Sequence, residues 1–114
     1  SSGKLFLSQM PRARRRKLLE SMSLRRHTPN TITDIGRLEA QIEEIGRTLV
    51  GINDEELQAG VIGIAVPVTD ATGRMIATIA LQAPVARLTL AQAMDHVPRL
   101  QAAARAVAPT FDNG

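Results

Sequence analysis

The sequence predicts a mixed α/β fold of the α+β type, in which an antiparallel β-hairpin packs against helices. Apolar residues recur at steps of three or four before residue 50 and after residue 88, as in amphipathic helices. Between these regions, the apolar runs 61–68 and 75–83 flank the turn sequence Asp-Ala-Thr-Gly, which favours a hairpin. The 114 residues suffice for one domain with its own core.

The composition restricts the class of protein further. Hydrophobic residues form 44% of the chain and charged residues 22%, as in a globular domain rather than a disordered one. Cysteine is absent, which excludes disulfides and thiolate metal sites and is compatible with a reducing cytoplasm. No apolar run approaches the roughly 20 residues that span a bilayer, and no charged-then-apolar leader begins the chain. We therefore expect a soluble, cytoplasmic protein without a membrane partner.

The first helices are predicted from prolines, caps and apolar spacing. A short helix over 4–10 precedes Pro11, which suits the first turn of an arginine-rich helix over 12–22. Thr31 and Asp34 have approximate capping-box spacing before the next helix. The apolar positions of that helix are Ile35, Leu38, Ile42, Ile45 and Leu49.

The last helix is predicted from Thr89 to Val107, because Thr89 and Gln92 have capping-box spacing and apolar residues follow at helical intervals. Pro98 lies inside this segment. Because proline lacks the N–H that a helix interior requires, we expect it to kink or split the helix.

One face of the predicted hairpin carries small and polar side chains, because side chains alternate along each strand. That face holds Val61, Gly63, Ala65, Thr78, Ala80 and Gln82, whereas the other holds Ile62, Ile64, Val66, Ala77, Ile79 and Leu81. A four-residue loop from Asp70 to Gly73 predicts that Gly63 pairs with Ala80 and Val61 with Gln82. The small face would then form a shallow floor for a small molecule. Alternatively, its small residues only allow a helix to approach closely, or the face meets solvent.

Several chemical interpretations lack residues that they need. A phosphate-binding loop requires Ser or Thr after the Gly-Lys pair and a Gly five residues before it, and neither is present. Ser1 and Lys4 have Ser-x-x-Lys spacing, but the other motifs of serine acylases are absent. His27 and His96 are too few and too isolated for a metal site. We therefore expect no catalytic constellation, metal or cofactor.

Two charged segments are typical of solvated surface. Glu55 and Glu56 are adjacent in an acidic loop, where a solvated or capping role is more common than acid–base catalysis. Five of the six residues in 12–17 are basic, and such a cluster can contact DNA phosphates or a second subunit. No aromatic platform or groove-reading motif accompanies it, so we expect arginines that face water.

Four segments of the chain carry a resemblance to a known family. These segments are SGKLFLSQMP, HTPNTITD, the stretch from Asn53 to Arg87 and the Ala-rich C-terminal helix. Together they resemble the effector-binding domain of IclR-type bacterial transcription regulators. Their order and spacing match the family from about Ser2 to Phe111. The signature positions are Glu56, Gly60, Val61, Ala65, Pro67, Val68 and Asp70.

This resemblance implies a GAF-like or profilin-like fold, in which a curved antiparallel sheet and flanking helices enclose a small-molecule pocket. It implies a single effector-binding domain over 1–114, truncated at its N-terminal side and without the family's winged helix-turn-helix domain. DNA would then be bound only through that absent domain. The other implied partners are a small-molecule effector, either a carboxylate or an aromatic acid, and further copies of the chain in a homodimer or tetramer.

The resemblance also implies where the effector binds. Family pocket positions correspond to Ser1, Ser2, Asn53, Val61, Gly63, Ala80 and Gln82. Asn53 stands where the family has an acidic residue, Gly63 where it has Cys, Ser or Ala, and Gln82 where it has Ser. These departures affect the identity of the ligand more than the fold. Ser1 and Ser2 are also compatible with a vector-derived origin.

Two functions are therefore open at the level of sequence. The first is a ligand-sensing regulatory domain in which an acid bound over the floor shifts a dimer equilibrium. The second is a small enzyme, or an enzyme subunit, that uses the same pocket. Because a nucleophile, base and metal set is missing, the sequence predicts a regulator rather than an enzyme.

Overall fold

The protein folds as a three-stranded antiparallel sheet flanked by helices, in a computed structural model that describes residues 2–21, 34–56 and 58–112. The elements are α1 (Ser2–Ser8), α2 (Arg12–Ser21), α3 (Ile35–Thr48), β1 (Gly51–Asp54), β2 (Val61–Thr69), β3 (Met75–Pro84), α4 (Leu90–Met94) and α5 (Val97–Asp112). The strand order is β1-β2-β3. None of the helices described is both long and apolar enough to cross a membrane.

Local chemistry sets both ends of α3. Asp34 is itself the N-cap, because its carboxylate accepts a hydrogen bond from the Arg37 N–H at 3.1 Å. The proposed first member of the capping box, Thr31, lies outside the described residues. Leu49 ends the helix in the left-handed conformation, with φ 58°, and donates its N–H to the Ile45 carbonyl. Leu49 is 40% exposed and therefore not part of the buried stripe that its spacing predicted.

The C-terminal helical segment is divided into α4 and α5, as Pro98 predicts. Thr89 and Gln92 form the predicted capping box, with Gln92 N 3.2 Å from Thr89 Oγ1 and Thr89 N 2.9 Å from Gln92 Oε1. Pro98 falls in the first turn of α5, where its missing N–H leaves no helix bond unmade. The helix continues beyond the predicted end at Val107 and contains Pro109.

Strand β1 was not predicted, because four residues are too few to show a period-two pattern. It pairs antiparallel with β2, and its ladder places Gly51 opposite Ala65 and Asn53 opposite Gly63. β1 therefore brings the start of the acidic loop against the middle of the sheet.

The β2–β3 hairpin is confirmed, but its predicted register is wrong by two residues. Gly63 pairs with Gln82 and not with Ala80, and Val61 pairs with Pro84 and not with Gln82. Because side chains alternate with a period of two, a shift of two residues leaves every side chain on its predicted face.

The turn explains the shift. Thr69 pairs with Met75, so five residues rather than four form the loop, within which the Asp70 N–H donates to the Arg74 carbonyl at 2.9 Å. Asp70 Oδ1 accepts hydrogen bonds from the Thr72 N–H, the Thr72 hydroxyl and the Arg74 N–H. Gly73 supplies the positive φ, 85°, that this loop requires. A β-bulge at the end of β2 takes up one further residue of β3.

The two faces of the sheet pack against different helices. Ile64 and Val68 are buried on the large-residue face, in clusters that include Ala93 of α4 and Ala104 of α5. This packing confirms the prediction for that face. On the small-residue face, Ala65 contacts a cluster formed by Leu5 of α1 and Ile45 of α3. Part of the small face therefore serves close helix approach, which was the alternative interpretation.

Arginines of α2 pair with glutamates of α3, and the prediction that they face water is wrong for Arg15, which is buried, whereas Arg12 and Arg16 remain exposed. Arg16 Nη1 lies 2.5 Å from Glu39 Oε2, and Arg12 Nε and Arg15 Nη2 lie 3.3 Å and 3.4 Å from Glu43 Oε1. Arg15 is only 5% exposed. These side chains hold two helices together and are therefore occupied within the chain.

Candidate functional site

The small-residue face of the sheet brings three of the predicted site residues into one row. Asn53 pairs with Gly63 across β1–β2, and Gly63 pairs with Gln82 across β2–β3. Paired residues point to the same side of a sheet, so two amide side chains flank the glycine. Strands lie about 4.8 Å apart, so the outer Cα atoms are separated by roughly 10 Å. We call this row and its neighbour Ala80 the floor.

The floor is covered towards β1 and open towards β3. Asn53 and Gly63 are buried, whereas Ala80 and Gln82 are exposed. Val61, the first residue of β2, is half-buried. The predicted residues are thus on one face, but they are not equally enclosed by the part of the chain that the structure describes.

Helix α1 lies on the same side of the sheet as the floor. Ser2 Oγ is 2.9 Å from Thr78 Oγ1, and Thr78 is the residue before Ala80 on that face of β3. Ser2 therefore lies at the β3 side of the floor, with its hydroxyl engaged by the protein. Ser1, the other predicted serine, lies outside the described residues.

The orientation of the Asn53 amide is set by its hydrogen bond. Its Oδ1 accepts the Glu56 N–H at 3.0 Å, which assigns the oxygen because a backbone N–H only donates. Among the described residues no protein group accepts from Asn53 Nδ2, and that nitrogen is not one of the enclosed side-chain atoms that lack a partner. Asn53 therefore has amide donors available for an acceptor outside the protein.

A buried ion pair that the sequence did not predict borders the floor. Lys4 Nζ lies 2.6 Å from Glu56 Oε2 and 3.0 Å from the Ile52 carbonyl oxygen. The Lys4 and Glu56 side chains are 16% and 10% exposed. The two residues are 52 positions apart, and no sequence period links them.

The solvated role expected in the acidic loop does not apply to Glu56, whereas the capping role applies to Glu55. Glu56 is buried rather than solvated. Glu55 has a capping role, because its carboxylate accepts the Gly60 N–H at 2.8 Å.

Neither histidine contributes to a candidate metal site within the described part of the chain. His96 Nδ1 is 3.5 Å from Arg99 Nη1, and His27 lies outside that part. No three His, Cys, Asp or Glu side chains come together there as metal ligands.

A cavity of about 470 Å³ lies away from the floor, between the end of β2 and α5. Its lining includes Leu49, Pro67, Asp70, Gln101, Ala104 and Arg105, and none of the predicted site residues. The Asp70 carboxylate is already engaged by its own turn. The floor is the stronger candidate, because separate elements bring polar groups with free hydrogen-bonding capacity to it.

One known protein family matches most of this chain. Residues 1–109 match the family described as "Bacterial transcriptional regulator IclR C-terminal". The chain belongs to the IclR family. The predicted resemblance is thus confirmed over most of the sequence.

Named IclR relatives are transcriptional regulators. The chain is 41% identical over 111 residues to the probable transcriptional regulator SauR of Cupriavidus necator, a match that covers 97% of this chain and 44% of that protein. The chain therefore spans less than half the length of this relative.

Solved IclR structures confirm the GAF-like fold of an effector-binding domain. A double mutant of the PobR inducer-binding domain from Acinetobacter, in complex with 3-hydroxybenzoic acid, is 32% identical with a TM-score of 0.89, covering 94% of this chain and 62% of that one. The C-terminal domain of KdgR from Escherichia coli is 30% identical with a TM-score of 0.83, covering 95% and 66%. This chain is therefore an IclR-family effector-binding domain.

Proposed function

We propose that this domain senses a small carboxylate or aromatic acid, which binds over the floor. The observation that carries the proposal is the row in which the Asn53 and Gln82 amides flank Gly63 on one face of the sheet. Ser1, Ser2, Val61 and Ala80 border the same ligand.

The chemistry of the floor suits an acid with a compact apolar body. Amide N–H groups of Asn53 and Gln82 donate to carboxylate oxygens, and such bonds to a charged group are stronger than those between neutral groups. Gly63 has no side chain and Ala80 carries only a methyl group, so we expect these positions to face the ring or short carbon chain of the ligand. The nearby cation, Lys4, is neutralised by Glu56, so neutral donors carry the recognition.

The similarity to the PobR domain supports an aromatic acid as one candidate, since that domain was solved with 3-hydroxybenzoic acid. We propose further that a winged helix-turn-helix domain outside these 114 residues binds DNA in the cytoplasm, and that effector binding shifts the equilibrium of a homodimer or tetramer. The greater length of SauR, of which this chain covers 44%, supports a further domain.

In this proposal, the domain binds the acid without catalysing a reaction on it. Relatives are named as regulators, and the described residues of the floor supply amides and hydroxyls rather than a nucleophile with an adjacent base. Turnover of a bound acid would contradict this part of the proposal.

A thermal-shift and calorimetry panel tests the proposal. The panel contains acetate, succinate, benzoate and 3-hydroxybenzoate, each with its neutral amide as the matched control. A ligand at a hundredfold excess over its Kd stabilises the folded protein by about 2.7 kcal/mol, so binding raises Tm measurably. We expect at least one acid to raise Tm, its amide to have no effect, and chromatography to recover the acid unchanged. If no acid stabilises the protein, or if an acid is consumed, the proposal is wrong.

A further inference from the structure

We propose that the Lys4–Glu56 ion pair is a positioning device, which holds the Asn53 side chain so that its amide donors face the floor. The ligand in this proposal rests on the proposed function, whereas the positioning itself is a property of the free protein. Lys4 and Glu56 are positioning residues, and Asn53 is the residue that contacts ligand.

The ion pair secures the chain on both sides of Asn53. Lys4 Nζ, from α1, donates to the Ile52 carbonyl at 3.0 Å, directly before Asn53. The same ammonium group pairs with Glu56 Oε2 at 2.6 Å, in the loop after β1. Glu56 Oε2 also accepts the Asp54 N–H at 3.1 Å. One side chain from α1 therefore joins the last residues of β1 to the loop that follows.

The backbone N–H of Glu56 then determines which end of the Asn53 side-chain amide is available to a ligand. The Glu56 N–H donates to Asn53 Oδ1 at 3.0 Å, and this bond requires the loop to stay close to β1. With Oδ1 occupied, the group left for a ligand is Nδ2, which only donates. An aspartate at this position would accept the same N–H but would offer no donor. Asn53 therefore selects a ligand with an acceptor at the β1 side of the floor.

Loss of stability alone cannot test this role, because removal of one partner of a buried ion pair leaves an uncompensated charge. The chain offers a matched control in Glu39, whose side chain is also 10% exposed and pairs with Arg16 between α2 and α3. Glu39→Gln removes a carboxylate of the same exposure that involves no floor residue, although its partner Arg16 is more exposed than Lys4. The other variants to be compared are Glu56→Gln, Lys4→Met and the conservative Lys4→Arg.

The first measurement uses the full chain without ligand. In ¹⁵N–¹H spectra, we expect one sharp pair of side-chain amide signals for Asn53 in the wild type, Glu39→Gln and Lys4→Arg. In Lys4→Met and Glu56→Gln, these signals shift or broaden because the amide samples several orientations. Asn53 signals that stay unchanged in both variants would overturn the proposal. If Lys4→Met does not fold, Glu56→Gln against Glu39→Gln decides the question.

The second measurement is a double-mutant cycle with 3-hydroxybenzoate and acetate as probes. Lys4→Met should weaken binding roughly tenfold, the effect of about one hydrogen bond to a charged group. In the Asn53→Ala background, Lys4→Met should have little further effect, because Lys4 acts through Asn53. An equal loss in both backgrounds would contradict the positioning role.

The two proposals fail in different ways. If the wild type binds neither probe nor any other acid of the panel, the proposed function fails, while the ligand-free spectra still decide the positioning role. If the wild type binds an acid and the Asn53 signals do not depend on Lys4, only the positioning role fails.

Discussion

Ser2 Oγ lies 2.9 Å from Thr78 Oγ1 and so joins α1 to β3 across 76 positions of sequence. Two residues further along α1, Lys4 reaches the other edge strand through the Ile52 carbonyl. The short helix α1 therefore connects both edges of the sheet on the side of the floor. Its two contacts join strands that the sheet separates by β2.

The Ser2–Thr78 contact should contribute measurably to stability. Removing one hydroxyl with Ser2→Ala or Thr78→Val should lower the free energy of unfolding by about 1 kcal/mol, the usual net value of a part-buried hydrogen bond. The double variant should lose less than the sum of the single losses, because both remove the same bond. Urea unfolding of the four proteins measures this coupling. Strict additivity would show that the contact does not stabilise the fold.

Gln82 should affect acid binding and leave stability nearly unchanged. Because Gln82 is exposed, its replacement should change the unfolding free energy by no more than about 0.5 kcal/mol. Gln82→Leu should weaken binding of the panel acid roughly tenfold through loss of a donor, and Gln82→Glu should weaken it further through charge repulsion. Calorimetry on both variants measures these changes.

Gln101→Glu is the matched control for that prediction. Gln101 lines the cavity beside α5, so the substitution adds the same charge away from the floor. We expect acid affinity close to that of the wild type. If Gln101→Glu abolishes binding while Gln82→Glu does not, the acid binds beside α5 instead.

The attachment of α2 to α3 should weaken in acid. The hydrogen bond from Arg16 lowers the pKa of Glu39 below its ordinary value, and the charges of Arg12 and Arg15 act in the same direction. A carboxylate whose pKa is lower in the folded state stabilises the fold above its unfolded pKa, about 4.3 for Glu. That stabilisation is lost as pH falls through the folded pKa.

Thermal unfolding between neutral pH and strongly acidic pH checks this prediction. The wild type should lose more Tm on acidification than Glu39→Gln, which starts lower at neutral pH and has no carboxylate to protonate. Added salt should reduce the difference at neutral pH, because it screens the exposed members of the network. Parallel acid profiles for the two proteins would contradict the assigned role of Glu39.

Asp70 should remain ionised well into the acid range. The Thr72 hydroxyl, and then the Arg74 backbone N–H, lower the pKa of Asp70 below its ordinary value of 3.8 by hydrogen bonding to the carboxylate. The turn is therefore stabilised above the unfolded pKa and weakened as pH falls through the lower folded value. A carbon-detected NMR titration of the Asp70 carboxyl should give a midpoint below 3.8 in the folded protein. Asp70→Ala should lower Tm, whereas an unshifted midpoint would show that these bonds do not persist in solution.

Elements whose pattern depends on neighbouring residues were predicted correctly. The capping box of Thr89 and Gln92 and the division of the last helix near Pro98 arise within a few residues of chain. The same holds for the faces of the hairpin, because alternation needs only an extended backbone. These faces placed Gly63 and Gln82 on the same side of the sheet, as the structure shows.

Features that the spacing of residue types does not specify were missed or wrong. The register of the hairpin depended on the hydrogen bonds around Asp70 and on a bulge, which composition does not specify. The arginines of α2 were predicted as a solvated face, which did not reveal the burial of Arg15 or the ion pairs with Glu39 and Glu43 of α3.

By itself, the sequence determined the fold class, the family and the face on which small and polar residues meet. These follow from local periods, caps and a family pattern that runs through most of the chain. Only the tertiary structure decided which residues share a row and which charges are paired. Asn53 pairs with Gly63 across two strands, and Lys4 pairs with Glu56 across two separate elements. Packing, rather than spacing along the chain, sets the geometry of both contacts.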